Sequence, residues 1–129
     1  MIDIFVFGSN LAGRHGKGAG RHGKGAALHA KQSYGARYGV GEGLTGCAYA
    51  IPTKGHNLEV LPLDAIAVSI NRFSEFAWNN PGMRFLLTPV GCGLAGYTVN
   101  QIRPLFDAAN LPANVEFLES WSQANGART

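Results

Sequence analysis

Two short stretches of this sequence hold residues equipped for chemistry. The first opens at Gly8-Ser9-Asn10-Leu11 and runs on through a glycine-rich, cationic segment to Gly46. The second is Gly91-Cys92-Gly93-Leu94-Ala95-Gly96-Tyr97. Glycine lets a backbone turn sharply and come close to a ligand, and several N–H groups turned into one concavity bind an anion. Between the stretches stands Thr53-Lys54. A lysine amine is a cation for a phosphate, or a nucleophile once it is neutral. Gly91–Gly96 also fits G-x-G-x-x-G, and Glu116 lies 20 residues after Gly96 in the place of a ribose-binding acid. That match is weak in a chain with 18 glycines among 129 residues. Its physical content is a tight turn that presents N–H groups to a diphosphate near a helix N-terminus.

Other chemistries fit less well. Gly18-Ala19-Gly20-Arg21-His22-Gly23-Lys24-Gly25 nearly matches the phosphate loop G-x-x-x-x-G-K-[ST], but Gly25 replaces the hydroxyl that would hold Mg²⁺. A nucleotide triphosphatase is therefore rejected. Cys92 invites a nucleophile reading, yet no partner base is identifiable and a small cysteine more often packs. His15, His22, His29 and His56 lack the spacing of a metal site, so no metal and no cofactor is expected. Arg14, Lys17, Arg21, Lys24 and Lys31 would suit nucleic-acid phosphates, but no aromatic side chains are interleaved to stack on bases.

These segments need a scaffold, and the chain is long enough for one domain, residues 1–129. Hydrophobic residues are 46% and charged residues 15%, which suits a packed core. No apolar run reaches the length of a membrane span. The early acid Asp3 and the lack of a basic leader argue against a signal peptide, and two distant cysteines, Cys47 and Cys92, suit a reducing cytoplasm. Residues 1–41 hold six basic side chains against Asp3 alone, so the net charge of +3 sits on the glycine-rich part. Gly13–Ala19 recurs without change as Gly20–Ala26, a local tandem duplication. Six glycines in the two copies make a lengthened loop the better reading than a lengthened helix.

Hydrophobic patterning predicts strands at Ile2–Phe7, Cys47–Pro52, Arg84–Thr88 and Val115–Leu118. It predicts a helix over about Gly25–Tyr34, a second opening with Pro62 at its first position, and a third from Thr98 through about Ala109. In the second, Leu63, Ile66, Ile70, Phe73 and Ala77 step by three or four along one face. Thr98 with Gln101 reads as a capping box for the third. Strands alternating with helices argue for an α/β fold, a parallel sheet covered on both faces. Ligands of such sheets bind beyond the carboxyl ends of the strands, so both glycine stretches are expected at that edge.

Phe7–Gly13, Gly23–Ala27, Ala50–Lys54 and Thr88–Gly96 together resemble small macrodomain-like proteins of phages and bacteria. The resemblance covers roughly Ile4–Phe106, and its most specific parts are the Gly8–Leu11 loop and the Pro-x-Gly-Cys-Gly-Leu turn. It implies a three-layer α/β/α arrangement, mostly parallel, with helices on both faces. It also implies an ADP-ribose-like ligand. Gly8, Ser9, Asn10 and Leu11, with Gly23, Gly25 and Ala26, would contact its distal ribose. Gly91, Cys92, Gly93, Leu94, Ala95, Gly96 and Tyr97 would wrap its diphosphate, and Thr53 and Lys54 would line the same site. Asp3 is the candidate for the acid that reads adenine in larger macrodomains.

The turn is similar to that of the branch which removes ADP-ribose from protein carboxylates or DNA bases. That branch uses a lysine after the second-strand threonine, here Lys54, and an acid after Gly-Cys-Gly-Leu, where this chain has Ala95. Alanine cannot act on a lysine adduct or on water. Three functions follow in order of preference. The first is a binder of ADP-ribose or a related NAD-derived nucleotide, with sequestration of a defence signal as a use if a phage encodes it. The second is an ADP-ribosyl glycohydrolase with Lys54 as catalytic residue and Glu42 or Asp64 in place of the missing acid. The third is a nucleic-acid or interaction protein using the basic loop 13–31.

Overall fold

Alternating apolar residues in the first strand decide how the chain is layered. In the computed structural model, which describes residues 1–13, 26–93 and 95–122, β1 spans Ile2–Asn10. Ile4 and Val6 join a core cluster on one face of the sheet, and Phe5 and Phe7 join a second cluster on the other. Next come α1 (Ala26–Ser33), β2 (Gly43–Thr45), β3 (Ala48–Lys54), α2 (Leu63–Trp78), β4 (Met83–Leu87), α3 (Val99–Asp107) and β5 (Val115–Phe117). The fold class is α/β, as expected. The tandem heptads, apart from Gly13 and Ala26, and with them Arg14, Lys17, Arg21 and Lys24, lie outside the described residues.

The strand order is β2-β3-β1-β4-β5. β1 pairs in parallel with β3 and with β4, and β4 pairs in parallel with β5. The sheet is mixed rather than wholly parallel, because β2 adds to β3 in the antiparallel sense. The patterning overlooked β2, a three-residue strand reached through the Gly46 turn. β1 ran three residues further than expected and β3 two, so Gly8, Ser9, Asn10, Thr53 and Lys54 lie within strands.

α2 buries the face that its spacing announced: Ile66, Ile70, Phe73 and Ala77 are fully buried against Tyr49, Phe85 and Leu87. Pro62 is its N-cap, one position before the expected place, with no side-chain cap. α3 carries the expected capping box, Thr98 Oγ1 accepting from the Gln101 N–H at 3.2 Å and Gln101 Oε1 accepting from the Thr98 N–H at 2.9 Å. α1 packs Ala26, Ala27 and Ala30 in one cluster with Phe5, Phe7, Ala48 and Ala50. Asn114 ties three elements together, its amide donating to the carbonyls of Ala77, Asn80 and Met83 at 3.3, 3.1 and 3.0 Å.

Candidate functional site

The route of the chain selects one place in the sheet. From β1 the chain passes through α1 and β2 to β3 on one side, then through α2 to β4 on the other side of β1. α1 and α2 contribute to the two different core clusters. The order thus reverses beside β1, and such a switch point opens a crevice beyond the carboxyl ends of the flanking strands. The segments that leave β1 and β4 there are the two glycine stretches. A Cβ on Gly8 would lie 3.3 Å from the Gly91 nitrogen and 3.5 Å from Val90 Cα. The backbones of the two stretches are in contact, and Gly8 permits it.

Several candidate ligand residues spend their polar groups on this scaffold. Ser9 is buried and its hydroxyl donates to the Gly41 carbonyl. Thr53 is buried too, its hydroxyl donating to the Ser9 carbonyl at 3.3 Å. The Leu11 N–H donates to the Lys54 carbonyl at 2.9 Å. Ala26 packs against the α1-side cluster. Much of the glycine in the first stretch serves an interlock. The Gly39 N–H donates to the Gly13 carbonyl at 2.7 Å, Gly13 has φ +69°, and a Cβ on Gly41 would lie 2.6 Å from the Asn10 oxygen. Segment 39–41 is thereby laid directly on loop 10–13, which the sequence reading missed; the close spacing of Gly39, Gly41, Gly43 and Gly46 is the signal that marks it.

The turn after β4 is tightly wound. Gly91 and Gly96 have φ +78° and +87°, the Cys92 N–H donates to the Pro89 carbonyl, and the Tyr97 N–H closes on the Gly91 carbonyl at 2.9 Å. Gly91 is buried, yet among the described residues its N–H donates to no acceptor, and neither does that of the exposed Gly93. Buried N–H groups without a partner are rare in proteins. By contrast, the capping box occupies N–H groups at the start of α3, so the anion-seeking donors are those of the turn rather than the helix end. The Tyr97 hydroxyl donates to the Leu61 carbonyl at 2.6 Å, which straps the turn to the loop after β3. Leu94, Gly23 and Gly25 lie outside the described residues.

Two acids are held by arginines, while Glu59 lies in the loop directly after Lys54 with its carboxylate accepting from the Asn57 N–H at 3.0 Å. Glu42 accepts two hydrogen bonds from Arg72, at 2.8 and 3.0 Å, in the middle of α2. Burial, with Glu42 nearby, pushes the Tyr49 hydroxyl up to about 12. Asp3 lies near the amino end of β1, seven residues before Asn10, where Arg84 binds both its oxygens and holds its carboxyl below the usual range. That position removes Asp3 as an adenine reader. Glu116 leans to Arg84 at 3.7 Å, not to the glycine turn, so it is not a ribose acid paired with that turn. Asp64 is exposed in the first turn of α2. Lys54 is partly exposed, and among the described residues no carboxylate pairs with it. Nor, among them, do three or more His, Cys, Asp or Glu residues cluster as metal ligands, and no helix is long and apolar enough to cross a membrane. His29 instead meets the Phe5 and Tyr34 rings edge-on, and Lys31 lies over the Tyr38 ring.

No family model matches the chain, and no significant similarity links it to a curated protein or to a solved structure.

Proposed function

We propose that this chain binds ADP-ribose or a related NAD-derived nucleotide in the crevice beyond β1 and β4, and holds it without cleaving it. The observation that carries the reading is the buried Gly91 N–H, with no acceptor among the described residues, set against Gly8 at the point where strand order reverses. A diphosphate supplies acceptors for that group and for the Gly93 N–H, and Lys54 adds a cation at the end of the neighbouring strand. Cleavage would need a carboxylate beside Lys54. Ala95 provides none, Glu42 is held by Arg72, Glu59 turns an oxygen to the Asn57 N–H, and neither Glu59 nor Asp64 forms an ion pair with Lys54. The two core clusters on opposite sheet faces favour the finer fold reading as well, a three-layer α/β/α arrangement of macrodomain type. Sequestration of a signalling nucleotide is the use that a non-cleaving binder serves.

Calorimetry with ADP-ribose and NAD tests this. The expected result is saturable binding of ADP-ribose that Lys54→Ala weakens by roughly tenfold, the scale of one charge-assisted hydrogen bond. Absence of binding to both compounds contradicts it. Release of ADP-ribose from modified protein or DNA would restore the hydrolase reading.

A further inference from the structure

β3 carries one more residue than its neighbour at the carboxyl edge. β1 and β3 pair residue by residue from Phe5 with Ala48 to Ser9 with Pro52, and then Asn10 pairs with Lys54. Thr53 is the residue left over, a bulge in a parallel pair, where bulges are uncommon. Its effect follows from the period of two. Strict alternation would group Lys54 with Ala48 and Ala50, which pack in the cluster under α1. Paired with Asn10, Lys54 takes the register of Ile4, Val6 and Gly8, the row that borders the Gly91 turn. A one-residue slip of this kind moves a side chain to the other face of a sheet.

Thr53 is tied down on every side. Its hydroxyl donates to the Ser9 carbonyl at 3.3 Å. Its methyl would lie 3.4 Å from a Cβ placed on Gly91. Its carbonyl accepts from the Leu61 N–H at 2.9 Å, and Leu61 in turn accepts from the Tyr97 hydroxyl. Across the bulge the Leu11 N–H reaches the Lys54 carbonyl at 2.9 Å. One buried residue therefore links three segments: its side chain meets the end of β1 and the turn after β4, and its carbonyl holds the loop after β3.

We propose that Thr53 is a positioning residue rather than a ligand contact: it pins the bulge, and the bulge aims Lys54 at the anion held by the Gly91–Tyr97 turn. The aim rests on the nucleotide-binding reading above; the pinning does not. Thr53→Val keeps the shape and removes the hydroxyl, and Thr53→Ser restores it. Hydrogen exchange on the free protein reads the pinning. In Thr53→Val the Leu11 amide is expected to lose at least tenfold protection, while the Phe5 amide, bonded to the Cys47 carbonyl at 3.0 Å, keeps its own. Thr53→Ser is expected to keep both. Calorimetry with ADP-ribose reads the aim. Thr53→Val is expected to weaken binding about tenfold, and to weaken it little further in a Lys54→Ala background. Unchanged Leu11 protection in Thr53→Val overturns the pinning, and fully additive losses overturn the aim. If the unsubstituted protein fails to bind ADP-ribose, the aim falls with the nucleotide reading, and the exchange result still decides the pinning.

Discussion

Glycines of this chain differ in what they do, and the difference is measurable one residue at a time. Gly91 combines a left-handed φ of +78° with a neighbour, Ile102 Cδ1, that a Cβ would approach to 3.2 Å. Gly41 has no such φ, but a Cβ there would meet the Asn10 and Leu11 carbonyl oxygens at 2.6 and 2.7 Å. Backbone atoms cannot swing aside as a side-chain tip does. Gly82 has neither constraint, with nothing within 4 Å of its built Cβ. Gly41→Ala is therefore expected to lower stability by about 1–3 kcal/mol. Gly82→Ala should stay within about 0.5 kcal/mol of the parent, as unconstrained surface substitutions do. Urea unfolding of the two variants checks both, and equal losses would remove the interlock of segment 39–41 with loop 10–13. At the same scale the sequence was a partial guide. It marked Ser9, Thr53 and Tyr97 by their place in motifs, yet motifs do not say which way a hydroxyl turns. All three hydroxyls bond to backbone carbonyls of the scaffold.

Elements were legible where one period or one cap dominates. The three-and-four spacing from Leu63 to Ala77 and the Thr98–Gln101 box each gave a helix within a few residues of its observed limits. β2 was not legible, because Gly43-Leu44-Thr45 is too short to show alternation and is defined by its partner Ala48-Tyr49-Ala50. The extra length of β1 and β3 escaped for a related reason. Gly8, Ser9 and Asn10 have low strand propensity, and their pairing with β3 supplies what propensity does not. Asn114 was invisible as well, since its three acceptors come from the end of α2, the turn after it and the first residue of β4. Its role makes a prediction about how these elements hold together. Asn114→Ala removes the one amide shared by these carbonyls, although those of Ala77 and Asn80 keep backbone donors, and is expected to cost about 1–3 kcal/mol, read as a lower urea midpoint with an unchanged slope. A loss under about 0.5 kcal/mol would mean that water replaces the amide at this junction.

The whole molecule turns on the reversal of strand order at β1. Two glycine stretches leave adjacent strands at the same edge and touch through Gly8 and Gly91, which lie 83 positions apart in sequence. That meeting was readable in advance, because alternating strands and helices bring every strand-to-helix turn of a parallel sheet to one edge. What the sequence overstated was the number of glycines committed to that edge. Gly13, Gly39 and Gly41 hold one loop against another, and their abundance says more about close backbone packing than about a ligand. The charge pattern was ambiguous too, since Glu42 and Asp3 look like free acids until Arg72 and Arg84 are placed beside them. With those acids engaged and Ala95 in the turn, no carboxylate pairs with Lys54 among the described residues, and the N–H donors of the turn suit an anion.

The central claim is that the buried Gly91 N–H and the exposed Gly93 N–H await a diphosphate. Titration of ¹⁵N-labelled protein with ADP-ribose, followed amide by amide, tests it most directly. Saturable shifts at Gly8, Gly91 and Gly93, with Asn114 and Cys47 unmoved, are the predicted result. Amide positions at the β1–β4 edge that stay fixed throughout the titration, or shifts confined to other parts of the sheet, would contradict it.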